Sequence, residues 1–183
     1  MTTNSAAMHG LLMPVRWAGE GHLGFVVEDV AAAARNWAET AGVRRWFFRR
    51  IDTPCLFQGE KVRVTASNAF ALLPDGSDTY VELVQPTGDG RFTATEWLKH
   101  HGPGLYHLGY RVADVLASVA VARRHGIEVD TIEDVAESGW AYLGSPERLG
   151  VHLEYVRADR SADLWTEMEN APDLLHPNAR RQR

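Results

Sequence analysis

Short apolar runs alternate with amphipathic stretches along this chain, and the order of the runs occurs twice. HLGFVV (22–27) is apolar, β-rich and too short for a helix, so it predicts a buried strand. EDVAAAARNWAETAG follows, with Asp29 placed as an N-cap and Gly42 as the stop of a helix. VRRWFFRRI predicts a strand, DTPCLFQGEKVRV reads as less regular, and NAFALL and TYVELVQP predict strands flanking the hairpin turn PDGSD. The second half repeats this order. LYHLGYRV is a strand, Asp114 opens the helix VLASVAVARRHG, Gly126 ends it, and IEVDTIEDV, GWAYLG and GVHLEYV supply three strands.

The repetition extends to identity. HLGFVVEDV (22–30) returns eighty-five residues later as HLGYRVADV (107–115), with six of nine positions the same. Each half therefore reads as strand, helix, three strands, and neither half closes its own sheet. The expected fold is α+β: two tandem βαβββ modules joined into one curved mixed sheet around a central cavity. The expected boundaries are an N-terminal extension over 1–19, module one over 20–86, a crossover with a short helix over 87–103, module two over 104–157, and a C-terminal tail over 158–183 ending in ARRQR.

Composition narrows the function classes. A hydrophobic fraction of 45% and a charged fraction of 23% are ordinary for a globular chain of 183 residues. A net charge of -5 argues against nucleic acid or an anionic membrane as partner. No apolar run is long enough to span a bilayer, and the opening residues carry no secretion signal. Cys55 is the single cysteine, which excludes an internal disulfide, fits a reducing, cytoplasmic compartment and reads as a small core residue.

The candidate chemistry lies in the repeated strands. Side chains two apart share a strand face, so His22 aligns with Gly24, and His107 with Gly109 and Arg111. The duplication relates His22 and His107 by a pseudo-twofold axis, so they should face each other inside the sheet. The last strand of each half carries a lone acid among apolar neighbours, Glu82 and Glu154. Burying such an acid unpaired is costly, and one divalent cation would satisfy all four groups. Two imidazoles and two carboxylates suit Mn, Fe, Co, Ni or Zn. His152 shares a face with Glu154 and is a candidate for lining the cavity. Arg111 is a candidate for holding a substrate anion or a salt bridge. Trp46 and Phe48, and Trp140 and Tyr142, are same-face pairs expected to wall the cavity, while His100 and His101 in the crossover are expected to be solvated.

The doubled unit, with His, Glu, His and Glu on the first and last strands of its halves, resembles the vicinal oxygen chelate superfamily of glyoxalases, bleomycin-resistance proteins and dioxygenases. The resemblance runs from Gly21 to Val156. It is nearest to the methylmalonyl-CoA epimerase-like branch through VELVQP, EWLKHHGPGLYHLGYRVAD and GVHLEYV. It implies a metal site at His22, Glu82, His107 and Glu154, and a small-molecule substrate with vicinal oxygens. It also implies a homodimer and an enzyme of the epimerase, isomerase or lyase kind that removes a proton α to a carbonyl, with Glu154 or Glu82 as base. An Fe(II)-dependent dioxygenase and a metal-free binding or resistance protein are the alternatives the same fold allows. Epimerases of this branch also carry a second acid before the long strand of the first half; here Thr65 or Ala66 falls there, and Glu60 is the nearest acid.

Overall fold

The computed structural model describes residues 21–144 and 146–176. The expected N-terminal extension and the final ARRQR lie outside the described residues. Module one contains β1 (Gly21–Val26), α1 (Val30–Ala41), β2 (Phe47–Phe57), β3 (Glu60–Leu72) and β4 (Tyr80–Pro86). After α2 (Thr93–His101), module two contains β5 (Gly104–Val112), α3 (Val115–Arg124), β6 (Glu128–Glu133), β7 (Trp140–Gly144), α4 (Pro146–Leu149) and β8 (His152–Arg157). A last helix, α5, spans Ala158–Glu169.

The eight strands close a barrel in the order β1-β4-β3-β2-β6-β7-β8-β5. The two halves have equivalent internal orders: the first strand pairs the fourth in parallel, and the fourth, third and second follow antiparallel. They join through two antiparallel seams. One is β1 against β5; the other is the shorter pairing of Cys55, Leu56 and Phe57 with Glu133, Ile132 and Thr131. The α+β class and the tandem modules are as the sequence indicates, and the curved sheet closes fully.

Each strand separates two apolar environments. On the outside, Val30, Ala34 and Ala38 of α1 pack on Ala69, Ala71, Val81 and Leu83, with Trp46 buried in the same cluster. In module two, Val115, Val119 and Ala122 of α3 cover Val112, Leu153 and Tyr155. Inside, Val26, Cys55, Phe57, Val84, Tyr106 and Tyr142 fill the barrel. Asp29 caps α1 by accepting from the N–H groups of Ala31 and Ala32, and Asp114 caps α3 through Ala117.

Two expectations change. The stretch 52–64 is a regular hairpin, because β2 continues to Phe57 and turns through Gln58 and Gly59, both at positive φ. Such a two-residue turn matches the twist of the strands it joins. Pro54 fits because it lies at the end of the β2–β6 pairing, which begins at Cys55, and there only its carbonyl is used, accepting from the Asp134 N–H at 2.9 Å. The segment after Val156 is also no free tail over its described part. Leu164 and Met168 of α5 pack against Phe70 and Tyr80, and Arg44 pairs with Asp173 at 2.8 Å. The i,i+4 pair Leu164–Met168 is too narrow a stripe to stand out in a polar sequence. Met168→Ala should therefore cost about 2–5 kcal/mol, read as a lower urea midpoint; an unchanged midpoint would detach α5 from the barrel.

Candidate metal centre

Register brings the four sequence-predicted ligands together. Across the β1–β5 seam Gly24 pairs with His107 and His22 pairs with Gly109. Alongside, Gly24 is the register partner of Glu82, and Gly109 of Glu154. Each glycine is thus flanked by the acid of its own half and the histidine of the other. The missing side chains are required: a Cβ on Gly24 would lie 1.8 Å from His107 Cε1, and a Cβ on Gly109 1.8 Å from His22 Cε1. The two rings cross in the space that the glycines leave.

A β-bulge sets the second ring. The β1–β5 register skips Tyr106, so Tyr106 and His107 both turn inward. His107 lies edge-on to Tyr106 at 4.4 Å and to Tyr142 at 5.2 Å between centroids, and the two tyrosine hydroxyls share a 2.8 Å hydrogen bond. His22 stacks on Tyr80 at 4.6 Å. Both imidazoles are therefore held by aromatic packing.

The ligand atoms converge on one point. His22 Nε2 lies 2.8 Å from His107 Nε2 and 2.8 Å from Glu154 Oε2. His22 and His107 lie 3.2 and 3.4 Å from Glu82 Oε2, and His107 lies 3.2 Å from Glu154 Oε2. A coordination polyhedron with bonds of about 2.1 Å has edges of about 3 Å between neighbouring ligands, so the set fits a first-row divalent ion. Two further observations support the fit. Glu154 Oε2 is buried near both imidazoles yet makes no well-directed hydrogen bond. All four residues are at least nine-tenths buried, as ligands around an ion would be.

The electrostatics agree. Burial opposes a charge on His22, but the close carboxylates of Glu154 and Glu82 outweigh it and raise the group to about 9. Burial also opposes ionisation of Glu82, yet His107 and His22 hold it down to about 2. Glu154 is lowered too, with burial outweighed chiefly by His107. Without metal the pocket thus buries two ionised carboxylates beside a protonated His22. A dication with two neutral imidazoles would be balanced.

The site opens into a cavity of about 350 Å³. Val64, Ala66, Val84, Phe92, Tyr142 and Leu164 give it apolar walls, and Arg49, Arg50, Asp52 and Thr53 line its mouth. Tyr142 lies in the cavity wall and Trp140 beside it. The other expected lining residues are placed elsewhere. Trp46 is fully buried on the outer side under α1, with its indole N–H on Val43 O. Phe48 shares that outer phase and is 38% exposed, because it is Arg49, Ile51 and Thr53 that face inward. Arg111 lies over Trp165 of α5 at 5.3 Å and does not line the cavity. His152 points into a second cavity of about 340 Å³, 3.2 Å from both Leu143 O and Asp130 Oδ2; two residues along a strand is a shift of nearly 7 Å. Glu60 is exposed at the β2–β3 turn, and Cys55 is buried, its thiol pushed up to about 12 by burial. His100 and His101 are exposed on α2.

Asn68 is a residue that sequence reasoning missed. Its Nδ2 donates to Glu82 Oε1 at 2.7 Å and so orients that carboxylate. The polar residue opening NAFALL, opposite TYVELVQP across the hairpin, was the available signal.

The family model described as the Glyoxalase/Bleomycin resistance protein/Dioxygenase superfamily matches residues 21–143. The chain belongs to this superfamily. Solved structures similar to this superfamily member include methylmalonyl-CoA epimerases. A Streptomyces coelicolor variant in complex with 2-nitronate-propionyl-CoA aligns with a TM-score of 0.51 at 24% identity, over 76% of this chain and 94% of that one. The Mycobacterium tuberculosis epimerase aligns with a TM-score of 0.50 at 21% identity, over 82% and 98%. At these identities the likeness is one of fold. No curated protein matches the chain in sequence. Among the described residues no helix is long and apolar enough to cross a membrane.

Two outcomes follow for this superfamily site. Gly109→Ala should push the His22 ring away and weaken binding of Co(II) or Zn(II) at least about tenfold, the cost of disturbing a ligand's support; unchanged affinity would refute the crossed-ring geometry. Because binding must displace the proton of His22, affinity should rise with pH by about tenfold per unit and level off near 9. Titration calorimetry in buffers of different ionisation enthalpy reads the released proton, and affinity independent of pH would contradict it.

Proposed function

We propose that this protein is a divalent-metal-dependent enzyme of the epimerase, isomerase or lyase kind, acting on a small molecule with vicinal oxygens. The observation carrying this reading is the complete, buried His22–Glu82–His107–Glu154 set, of which His22, Glu82 and Glu154 line the cavity. A divalent ion held there supplies a Lewis acid that stabilises negative charge developing on a substrate oxygen. The chain's own groups do the rest. The buried apolar side chains Val64, Ala66, Val84 and Phe92 beside the site lower the local dielectric, which strengthens charge interactions there. Glu82 is engaged through Oε1 by Asn68, while Glu154 Oε2 carries no directed hydrogen bond. Glu154 is therefore the base that takes the proton α to the carbonyl, and its two histidine neighbours keep it ionised for that role.

The substrate class follows from the superfamily and from one structural neighbour, an epimerase solved with methylmalonyl-CoA. A 350 Å³ cavity admits an acyl group of that size, and a longer carrier would leave past Arg49 and Arg50. A homodimer in the cytoplasm completes the reading; the buried free thiol of Cys55 suits a reducing compartment.

Metal-loaded protein should exchange the α-proton of methylmalonyl-CoA with deuterated water. Chelated protein should not, and Glu154→Gln should lower the exchange by about 10²-fold or more. Equal exchange with and without metal would place the chemistry elsewhere.

A further inference from the structure

We infer that the second cavity, beside α2, binds a small organic cation, an aliphatic amine or diamine held between His152 and an acidic rim. The site does not depend on the chemistry proposed for the metal centre, whose cavity shares no lining residue with it.

His152 is 7% exposed, and its ring orientation is set by its surroundings. Nδ1 lies 3.2 Å from both Leu143 O and Asp130 Oδ2, two acceptors. In the neutral form Nδ1 therefore holds the hydrogen, and Nε2 is left as an acceptor. Trp97 supports the ring edge-on at 5.5 Å between centroids, and His101 lies across the same indole at 4.3 Å. Among the described residues nothing donates to Nε2, and the ring lines a cavity of about 340 Å³. A buried imidazole with an open acceptor calls for a donor in that space.

The surrounding charges select the class of donor. Glu128 and Glu147 line the cavity and form no ion pair among the described residues, and Asp130 pairs only with His152. Arg91, the cationic residue of this lining, is already engaged: its Nε lies 3.1 Å from Glu96 Oε1 and its guanidinium over the Phe57 ring. Three carboxylates without a lysine or arginine partner attract a cation into the cavity. A bare metal ion fits poorly. The ligand atoms of the metal centre all lie within 4.8 Å of one another, and among the described residues no group of the second cavity converges so closely. A longer cation spans what an ion cannot. One ammonium donates to His152 Nε2, a second meets the carboxylates, and the methylenes between them lie along Trp97 and Phe57.

The test titrates metal-loaded, full-length protein with putrescine and, as its uncharged match, the butanediol of the same length. Calorimetry should read one putrescine per chain, with the diol bound at least about tenfold more weakly. Glu128 and Glu147 are exposed, so the double variant Glu128→Gln/Glu147→Gln keeps its fold. It should weaken putrescine about tenfold or more, as should His152→Gln, with bound metal unchanged in the double variant. The indole N–H resonance of Trp97, assigned through Trp97→Phe, should shift as putrescine is added. Absence of putrescine binding, equal binding of amine and diol, or wild-type affinity in the double variant overturns the site. Putrescine that binds without moving the Trp97 resonance is held elsewhere and overturns it too.

Discussion

Two histidines crossing over two glycines is the constraint on which this structure depends. The β1–β5 seam places Gly24 against His107 and Gly109 against His22, and each ring occupies the volume that a side chain on the other strand would need. That exchange brings one nitrogen from each half to within 2.8 Å of the other. Duplication then supplies the remainder, because the acid of each half is the parallel register partner of its own glycine. The barrel has a polar centre because its two modules meet at these strands.

The centre is electrostatically unfinished as a purely organic site. Four buried polar groups lie within ligand distance of one another, their carboxylates held ionised and His22 raised to about 9. Attraction between imidazolium and carboxylate offsets only part of the cost of burying these charges. Aromatic packing by Tyr80, Tyr106 and Tyr142 prevents the rings from turning away to relieve it. Such a preorganised, strained arrangement of ligands is what a bound dication would relax.

Much of this was legible in the sequence, and the missing parts have identifiable causes. The repeated HLG motif and the lone acids of TYVELVQP and GVHLEYV located all four converging residues, because duplication converts sequence equivalence into spatial symmetry. The walls of the cavity were harder to read. Trp46, just before β2, packs under α1 while Phe48 is exposed on the outer side of the strand, so bulk at these positions carried no sign of which side was inward. His152 has the correct face, but lies one pleat too far along for the same cavity. The bulge that turns Tyr106 inward breaks the period of two on which such reasoning rests. Asn68 acquires its role from the register of the β3–β4 hairpin, and α5 joins the core through only a few apolar contacts.

Elemental analysis of untagged protein, purified without chelators or metal-affinity resin, tests the central claim most directly. The four-ligand site calls for about one equivalent of a divalent first-row ion per chain, lost together from a variant such as His107→Ala that keeps its fold. Protein that carries no such ion, and takes up none on titration with Co(II), Zn(II), Mn(II), Ni(II) or Fe(II), would contradict it.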